Sequence, residues 1–129
     1  MNVLFIDDDE DLNMLHEIMC SRSRIIKHSS FASSAEKALI YLSTTEIVPN
    51  IIFVDLHMPK MNGFQFIEKY EEHFAPKFSR TALFVLSSST RESDKNSALG
   101  YSSVKDFLIK PLTEAKLEGI LMEYLGHHQ

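Results

Sequence analysis

Cysteine is almost absent from this chain. Cys20 is the single one in 129 residues, so no intramolecular disulfide can form and a four-cysteine zinc site is excluded. A lone thiol suits a reducing compartment. Long apolar runs are missing too. The longest, such as Val3-Leu4-Phe5-Ile6, fall far short of the roughly 20 residues that a membrane-spanning helix needs. The N-terminus turns acidic almost at once, without the basic region and apolar stretch of a secretory signal. Basic charge is in deficit, with 13 Lys and Arg against 18 Asp and Glu, which argues against a nucleic-acid-binding surface. No internal repeat, low-complexity tract or linker interrupts the chain. These absences lead to the expectation of a soluble, cytoplasmic protein with neither a membrane nor a nucleic-acid partner.

The composition is that of an ordinary globular protein, 44% hydrophobic and 24% charged, with enough apolar surface to offset the entropy of ordering the chain. The length fits one compact unit over residues 1–129. Residues 3–6, 51–54, 82–86 and 107–109 are continuous apolar runs, as expected of strands buried on both faces of a parallel sheet. Residues 25–31, more polar through Lys27, His28 and Ser29, read as an edge strand. Helical periods fill the intervals. Leu12, Leu15 and Met19 share one face of the first helix. Ala35, Ala38, Leu39 and Leu42 share a face of the second, after a capping box of Ser33 and Glu36. Phe64, Ile67 and Phe74 stripe the third. Leu117, Ile120, Leu121, Tyr124 and Leu125 stripe the last, with Thr113 as its N-cap. Residues 91–100 offer only Ala98 and Leu99 to a core, so that helix should be the most mobile. The last helix ends near Gly126, and no output domain is expected after it. Five alternations of strand and helix predict an α/β domain with a central parallel sheet and helices on both faces.

Ligands bind open parallel sheets at the carboxyl ends of the strands, so the polar residues after each apolar run carry the functional reading. Asp7, Asp8 and Asp9 follow the first strand and Asp55 the third. Ser87, Ser88 and Ser89 follow the fourth, and Lys110 the fifth. Two carboxylates about 5 Å apart at an effective dielectric near 20 repel by roughly 3 kcal/mol. Three of them at one edge therefore imply a bound cation. Oxygen-only ligands select a hard ion, and Mg²⁺ is the usual choice beside phosphate. Lys110 can pair with Asp55 when the site is empty and with a phosphoryl oxygen when it is full. Carboxylate, metal, lysine and hydroxyl together equip a site for phosphoryl transfer to an aspartate.

Phe5-Ile6-Asp7-Asp8-Asp9, Val54-Asp55-Leu56-His57-Met58-Pro59-Lys60-Met61-Asn62-Gly63, Val85-Leu86-Ser87 and Asp106-Phe107-Leu108-Ile109-Lys110-Pro111 resemble the receiver domain of bacterial response regulators. The likeness spans essentially the whole chain. It implies a doubly wound, flavodoxin-like fold with five parallel strands in the order 2-1-3-4-5 and five helices. It also implies a signalling switch rather than an enzyme. Asp55 would accept a phosphoryl group from a sensor histidine kinase or histidine phosphotransfer protein. Mg²⁺ would be held by Asp7, Asp8, Asp55 and the backbone carbonyl of His57. Lys110, preceding a cis peptide at Pro111, would contact the phosphoryl group. Ser87 would move toward that group, and Phe107 would hold the aromatic switch position. The phosphorylated form would act on an unknown downstream protein, as a monomer or weak homodimer.

The chain departs from the family pattern in two places. Ser103-Val104 stands where Gly-Ala is frequent, and the larger Val104 narrows the space into which Phe107 would swing. His57 stands where asparagine is frequent, its carbonyl still able to bind metal. Plainer readings cover other residues. Asp9, Glu10 and Asp11 suit a helix N-terminus. Ser88 and Ser89 read as turn residues, as does Met58-Pro59 with Asn62-Gly63. His16, His28 and His73 read as surface residues, Cys20 as inert, and Phe107 as core or switch with equal weight. Two other functions compete. One is a haloacid-dehalogenase-like phosphatase with Asp7 as nucleophile, against which Asp11 and the lack of a late acidic pair both count. The other is an interaction module that no longer uses phosphorylation.

Overall fold

The computed structural model describes residues 1–128. Strands β1 (Asn2–Ile6), β2 (His28–Ala32), β3 (Ile51–Val54), β4 (Ala82–Ser87) and β5 (Val104–Ile109) alternate with helices α1 (Glu10–Arg22), α2 (Ala35–Thr44), α3 (Gly63–His73), α4 (Glu92–Leu99) and α5 (Glu114–His127). The strands form one sheet in the order β2-β1-β3-β4-β5, and every pairing is parallel. This is the expected doubly wound arrangement. Among the described residues, no helix is long and apolar enough to cross a membrane.

Alternate residues of the central strands feed two cores. Leu4, Ile6, Ile52, Val54, Leu83 and Val85 face one side, where Ala35, Ala38, Phe66, Ile67, Tyr70 and Ala98 close over them. Val3, Phe5, Ile51, Phe53, Phe84 and Leu86 face the other, under Met19, Cys20, Leu117, Ile120, Leu121 and Tyr124. On this second face four phenylalanines lie in register across four strands, Phe31-Phe5-Phe53-Phe84. Their ring centroids are 5.4, 4.8 and 5.6 Å apart in turn. Each stacked pair adds about 0.5–1.5 kcal/mol beyond its buried area, so this ladder ties the four strands into a stiff plate.

Several local expectations need correction. β2 begins at His28 rather than Ile25, and it is an edge strand as its polarity foretold. β5 begins at Val104 rather than Phe107, because a bulge leaves Lys105 without a partner in β4: Leu83 faces Val104 while Phe84 faces Asp106. The inserted residue turns Val104 and Phe107, three apart, onto the same face. The N-cap of α2 is Ser34, whose Oγ accepts from the Lys37 amide. Ser33 instead takes a bond from the Lys37 ammonium, and Glu36 Oε1 is buried without a partner. The reciprocal capping box belongs to α3, between Asn62 and Gln65, so Asn62-Gly63 is a helix start. The buried residues of α3 are Gly63, Phe66, Ile67 and Tyr70, with Phe64 and Phe74 packed at the margin. In α5 the expected stripe holds, Thr113 is the N-cap, and only Leu125 lies partly outside the core.

The largest difference is in α1. Its buried face is Asn13, His16, Met19 and Cys20, whereas Leu15 is half exposed. Apolar character is a poor guide here because the buried positions do polar and aromatic work. Asn13 Nδ2 donates to the Asp7 carbonyl at 2.8 Å. The His16 ring stacks on Phe5, centroids 4.5 Å apart, and its Nδ1 is buried with no partner. His16 is thus a core residue, not a surface one. Cys20 is buried, and burial followed by the Glu17 charge pushes its thiol up to about 11, so it is inert as expected.

Burial lowers the His16 pKa, an effect that the Asp7 charge opposes and the Lys110 charge reinforces. A histidine held neutral in the fold but free to protonate when unfolded costs stability as pH falls below its ordinary value near 6.5. The slope from this one group is at most about 1.4 kcal/mol per pH unit. His16→Phe should keep the stack on Phe5 and flatten the loss of stability between pH 7 and 5. Urea unfolding at both pH values checks this, and an unchanged pH dependence would assign the loss elsewhere.

Candidate functional site

Asp7, Asp55 and Lys110 are each placed by a backbone bond that continues the sheet ladder past the last strand residue. The Asp7 amide donates to Ala32 O, Asp55 to Ile6 O and Lys110 to Ser87 O, at 3.0, 3.0 and 2.8 Å. Asp7, Asp55 and Ser87 are buried, while Asp8 is exposed. Carboxylate oxygens of Asp7, Asp8 and Asp55 all lie within 4.8 Å of one another. Oxygens sharing one Mg²⁺ sit about 3–4 Å apart, given ligand distances near 2.1 Å. A small contraction or one intervening water would therefore fit the ion, and the oxygen-only donor set suits it.

The Lys110 ammonium lies 2.7 Å from Asp7 Oδ2 and 3.6 Å from Asp55 Oδ2. Its tighter partner is therefore Asp7, not Asp55. The other Asp7 oxygen accepts the Asp9 amide at 2.9 Å, and Asp9 in turn caps α1 by accepting from Leu12. Asp9, Glu10 and Asp11 occupy the cap and first turn of that helix, as their plain reading held. Burial works to lower the Lys110 pKa, but the Asp7 bond and the Asp55 and Asp7 charges outweigh it and hold it above its ordinary value. Asp55 is also raised. Burial is the largest cause, offset in part by Lys110 and by the His57 amide, and reinforced by Asp7 and Asp8. One lysine faces three carboxylates at this edge, a charge imbalance that a further cation would offset.

Residues 3–122 match the response regulator receiver domain family. This chain belongs to that family. The receiver is 31% identical over 124 residues, 96% of its length and 89% of the relative's, to an uncharacterized 14.6 kDa protein from Leptolyngbya boryana. It is 27% identical to a probable C4-dicarboxylate response regulator from Halalkalibacterium halodurans, matching 96% of this chain and 51% of that longer protein. Among solved structures, a two-component response regulator from Cytophaga hutchinsonii superposes with a TM-score of 0.87 at 28% identity, covering 97% of this chain and 96% of the other.

The remaining residues of the receiver's edge sit as follows. Ser87 ends β4, fully buried, and its Oγ accepts the Ser89 amide at 3.1 Å. Phe107 is buried in the core beside Val104 and Ala98. The peptide between Lys110 and Pro111 is cis. The His57 side chain is largely exposed, with Nε2 at 3.8 Å from Asp94 Oδ2. Ser89 is more than a turn residue, since its hydroxyl donates to that same Asp94 oxygen at 2.6 Å. Sequence reading missed both Asn13 and Asp94. Neither carries a motif, and only its place on the first turns of a helix beside the site could have marked it.

Gly63 fixes the loop after Asp55. A Cβ there would meet the Asp55 carbonyl oxygen at 2.3 Å and the Leu56 Cα at 2.7 Å. Its amide donates to the Leu56 carbonyl, so α3 begins in direct contact with the loop backbone. Backbone atoms cannot yield as a flexible side chain would, and Gly63→Ala should cost about 3 kcal/mol of stability and reduce metal affinity. Chemical denaturation with and without Mg²⁺ checks both effects.

The raised Asp55 pKa also gives a signed expectation. A carboxyl that is easier to protonate when folded favours the fold at low pH, and that contribution is lost as pH rises through its folded value. Without metal, Asp55→Asn should therefore raise the neutral-pH melting temperature, by about 4 °C for each kcal/mol relieved. The gain should vanish toward pH 4. Scanning calorimetry in chelator tests this, and a lower melting temperature at pH 7 would contradict it.

Proposed function

We propose that this receiver accepts a phosphoryl group on Asp55 from a phosphohistidine of a sensor histidine kinase or histidine phosphotransfer protein, in a Mg²⁺-dependent reaction. The observation that carries this reading is the half-sealed cluster of Asp7, Asp8 and Asp55 with Lys110 inside it. In the transfer, an Asp55 carboxylate oxygen forms a bond to phosphorus while the phosphorus–nitrogen bond of the donor breaks. The donor imidazole keeps the electron pair and regains a proton from solvent.

Asp7, Asp8 and Asp55 would hold Mg²⁺, Asp8 more directly than Asp7, and the His57 carbonyl would complete the protein's share of the coordination. The ion supplies positive charge against the phosphoryl oxygens, where charge spreads in the transition state. Lys110 adds a second positive group, already within 3.6 Å of the acceptor carboxylate. Both charges favour the ionised form of Asp55 that burial disfavours, so the nucleophile is made ready as the site fills. The Ser87 hydroxyl then turns toward a phosphoryl oxygen, and Phe107 follows into the space released. Downstream binding would use α4, β5 and α5, where Leu99 and Ile109 are already exposed.

Phosphatase chemistry through Asp7 is disfavoured by one feature. Both Asp7 oxygens are engaged, one by the Asp9 amide and one by Lys110, whereas the Lys110 ammonium stands off Asp55 at 3.6 Å. Incubation with acetyl phosphate and Mg²⁺, followed by peptide mapping in a mass spectrometer, separates the readings. A phosphoryl group on Asp55, lost in Asp55→Asn and in chelator, is the expected result. Label on Asp7, or undiminished label in Asp55→Asn, would reverse the assignment.

A further inference from the structure

Helix α4 borders the site but is poorly tied to the protein. Only Ala98 is buried, and its N-cap Arg91 makes no side-chain cap bond. Among the described residues, Asp94 is the one α4 side chain with a hydrogen bond or ion pair outside the helix. That one carboxylate oxygen meets two loops. The Ser89 hydroxyl, from the β4–α4 loop, donates to it at 2.6 Å, and His57 Nε2, from the loop after Asp55, lies 3.8 Å away. The Asp94 side chain is mostly shielded, 18% exposed against 62% for His57, so its bonds are less screened than those of a surface pair.

The chain of contacts runs on to the acceptor site. Ser89 lends its amide to Ser87 Oγ at 3.1 Å, and Ser89 Oγ also accepts the Arg91 amide at 3.2 Å. Ser89 is thus bonded through its backbone to Ser87 and through its hydroxyl to the first turn of α4. We propose that Asp94 is a positioning residue that couples α4 to the phosphoryl site, through Ser89 on one side and His57 on the other. This rests on the reading of Asp55 as phosphoacceptor. When the Ser87 hydroxyl turns to a phosphoryl oxygen, its hold on the Ser89 amide changes, and the Ser89–Asp94 bond carries that displacement into α4. Without Asp94, Ala98 is the one buried side chain of the helix, and among the described residues no α4 side chain is left bonded to the β4–α4 loop.

Amide hydrogen exchange on the full chain, with and without beryllofluoride and Mg²⁺ as a stable phosphoryl mimic, tests the coupling. In the native protein, amides 92–99 should change their exchange on adding the mimic. In Asp94→Ala and Ser89→Ala, these amides should exchange about ten-fold faster before addition, since a hydrogen bond to a charged group has been removed. The further change on addition should then be less than about two-fold. Ser89→Thr, which keeps the hydroxyl, should restore the native response, a rescue that mere loosening of the helix would not give. Asp94→Asn, which keeps an acceptor for Ser89, should retain most of it. Fluorine NMR of bound beryllofluoride should show the site still filling in every variant. A native-sized α4 response in Asp94→Ala and Ser89→Ala would overturn the coupling while leaving Asp55 in its role. Failure of Ser89→Thr to restore the response would overturn the hydroxyl bridge. Failure of the native protein to bind the mimic would overturn the phosphoacceptor reading and this inference together. Should Asp94→Ala not fold, Ser89→Ala and Ser89→Thr decide the matter.

Discussion

Lys110 supplies positive charge to two carboxylates, Asp7 and Asp55, that are 4% and 6% exposed. Buried carboxylates held so near one another would otherwise be neutralised or driven apart. Removing the lysine from such a cluster typically costs about 3–5 kcal/mol, because the buried carboxylates are left without compensation. The position of the ammonium depends in turn on the sheet. Lys110 is carried past the end of β5 by its amide bond to Ser87 O, and Asp7 and Asp55 are carried past β1 and β3 in the same way. The charge cluster thus exists because β1 and β3 end level while β5 runs two residues further, which brings Lys110 over the two carboxylates.

How far the sequence revealed this follows from what each segment is asked to do. Continuous apolar runs at 51–54 and 82–86 were legible because central parallel strands bury both faces, and no other short element produces that pattern. Asp7, Asp55 and Lys110 were legible because each follows such a run, so strand ends located them before any side chain was placed. The buried face of α1 was not legible. Asn13 and His16 occupy positions where periodicity expects apolar residues, since one holds the Asp7 carbonyl and the other stacks on Phe5. Of the expected apolar face Met19 is buried, but Leu15 is half exposed, as are its apolar neighbours Met14 and Ile18. The bulge at Lys105 was also hidden, because an extra residue in one strand shows only when its partner strand is known. Register across strands escaped for the same reason, and with it the four-phenylalanine ladder.

That ladder gives the two faces of the sheet different mechanical characters. On the side of α1 and α5, aromatic rings packed in register join β2, β1, β3 and β4, and α5 adds four buried residues along its length. On the opposite side, α4 contributes one buried alanine. A structural change at the site takes the route of lower free energy, and elements with few buried contacts open at the lowest cost. The stiff face holds Asp7, Asp55 and Lys110 in register for chemistry. On the opposite face α2 and α3 are well packed, so α4 alone is loose enough to answer a change of charge at Asp55 without disturbing that register.

Phe107 sits between these two regimes. The Lys105 bulge turns it and Val104 toward the α4 side, where both join the core with Ala98. Val104 is buried in the same core and fills volume that a smaller residue would leave open. A ring in a close-packed core moves only when a neighbouring void opens. The neighbour able to open one is α4, the least anchored helix of the fold. On the proposed switch, movement of Phe107 would be limited by the freedom of α4, and a bond that restrains the first turn of α4 would restrain the ring as well.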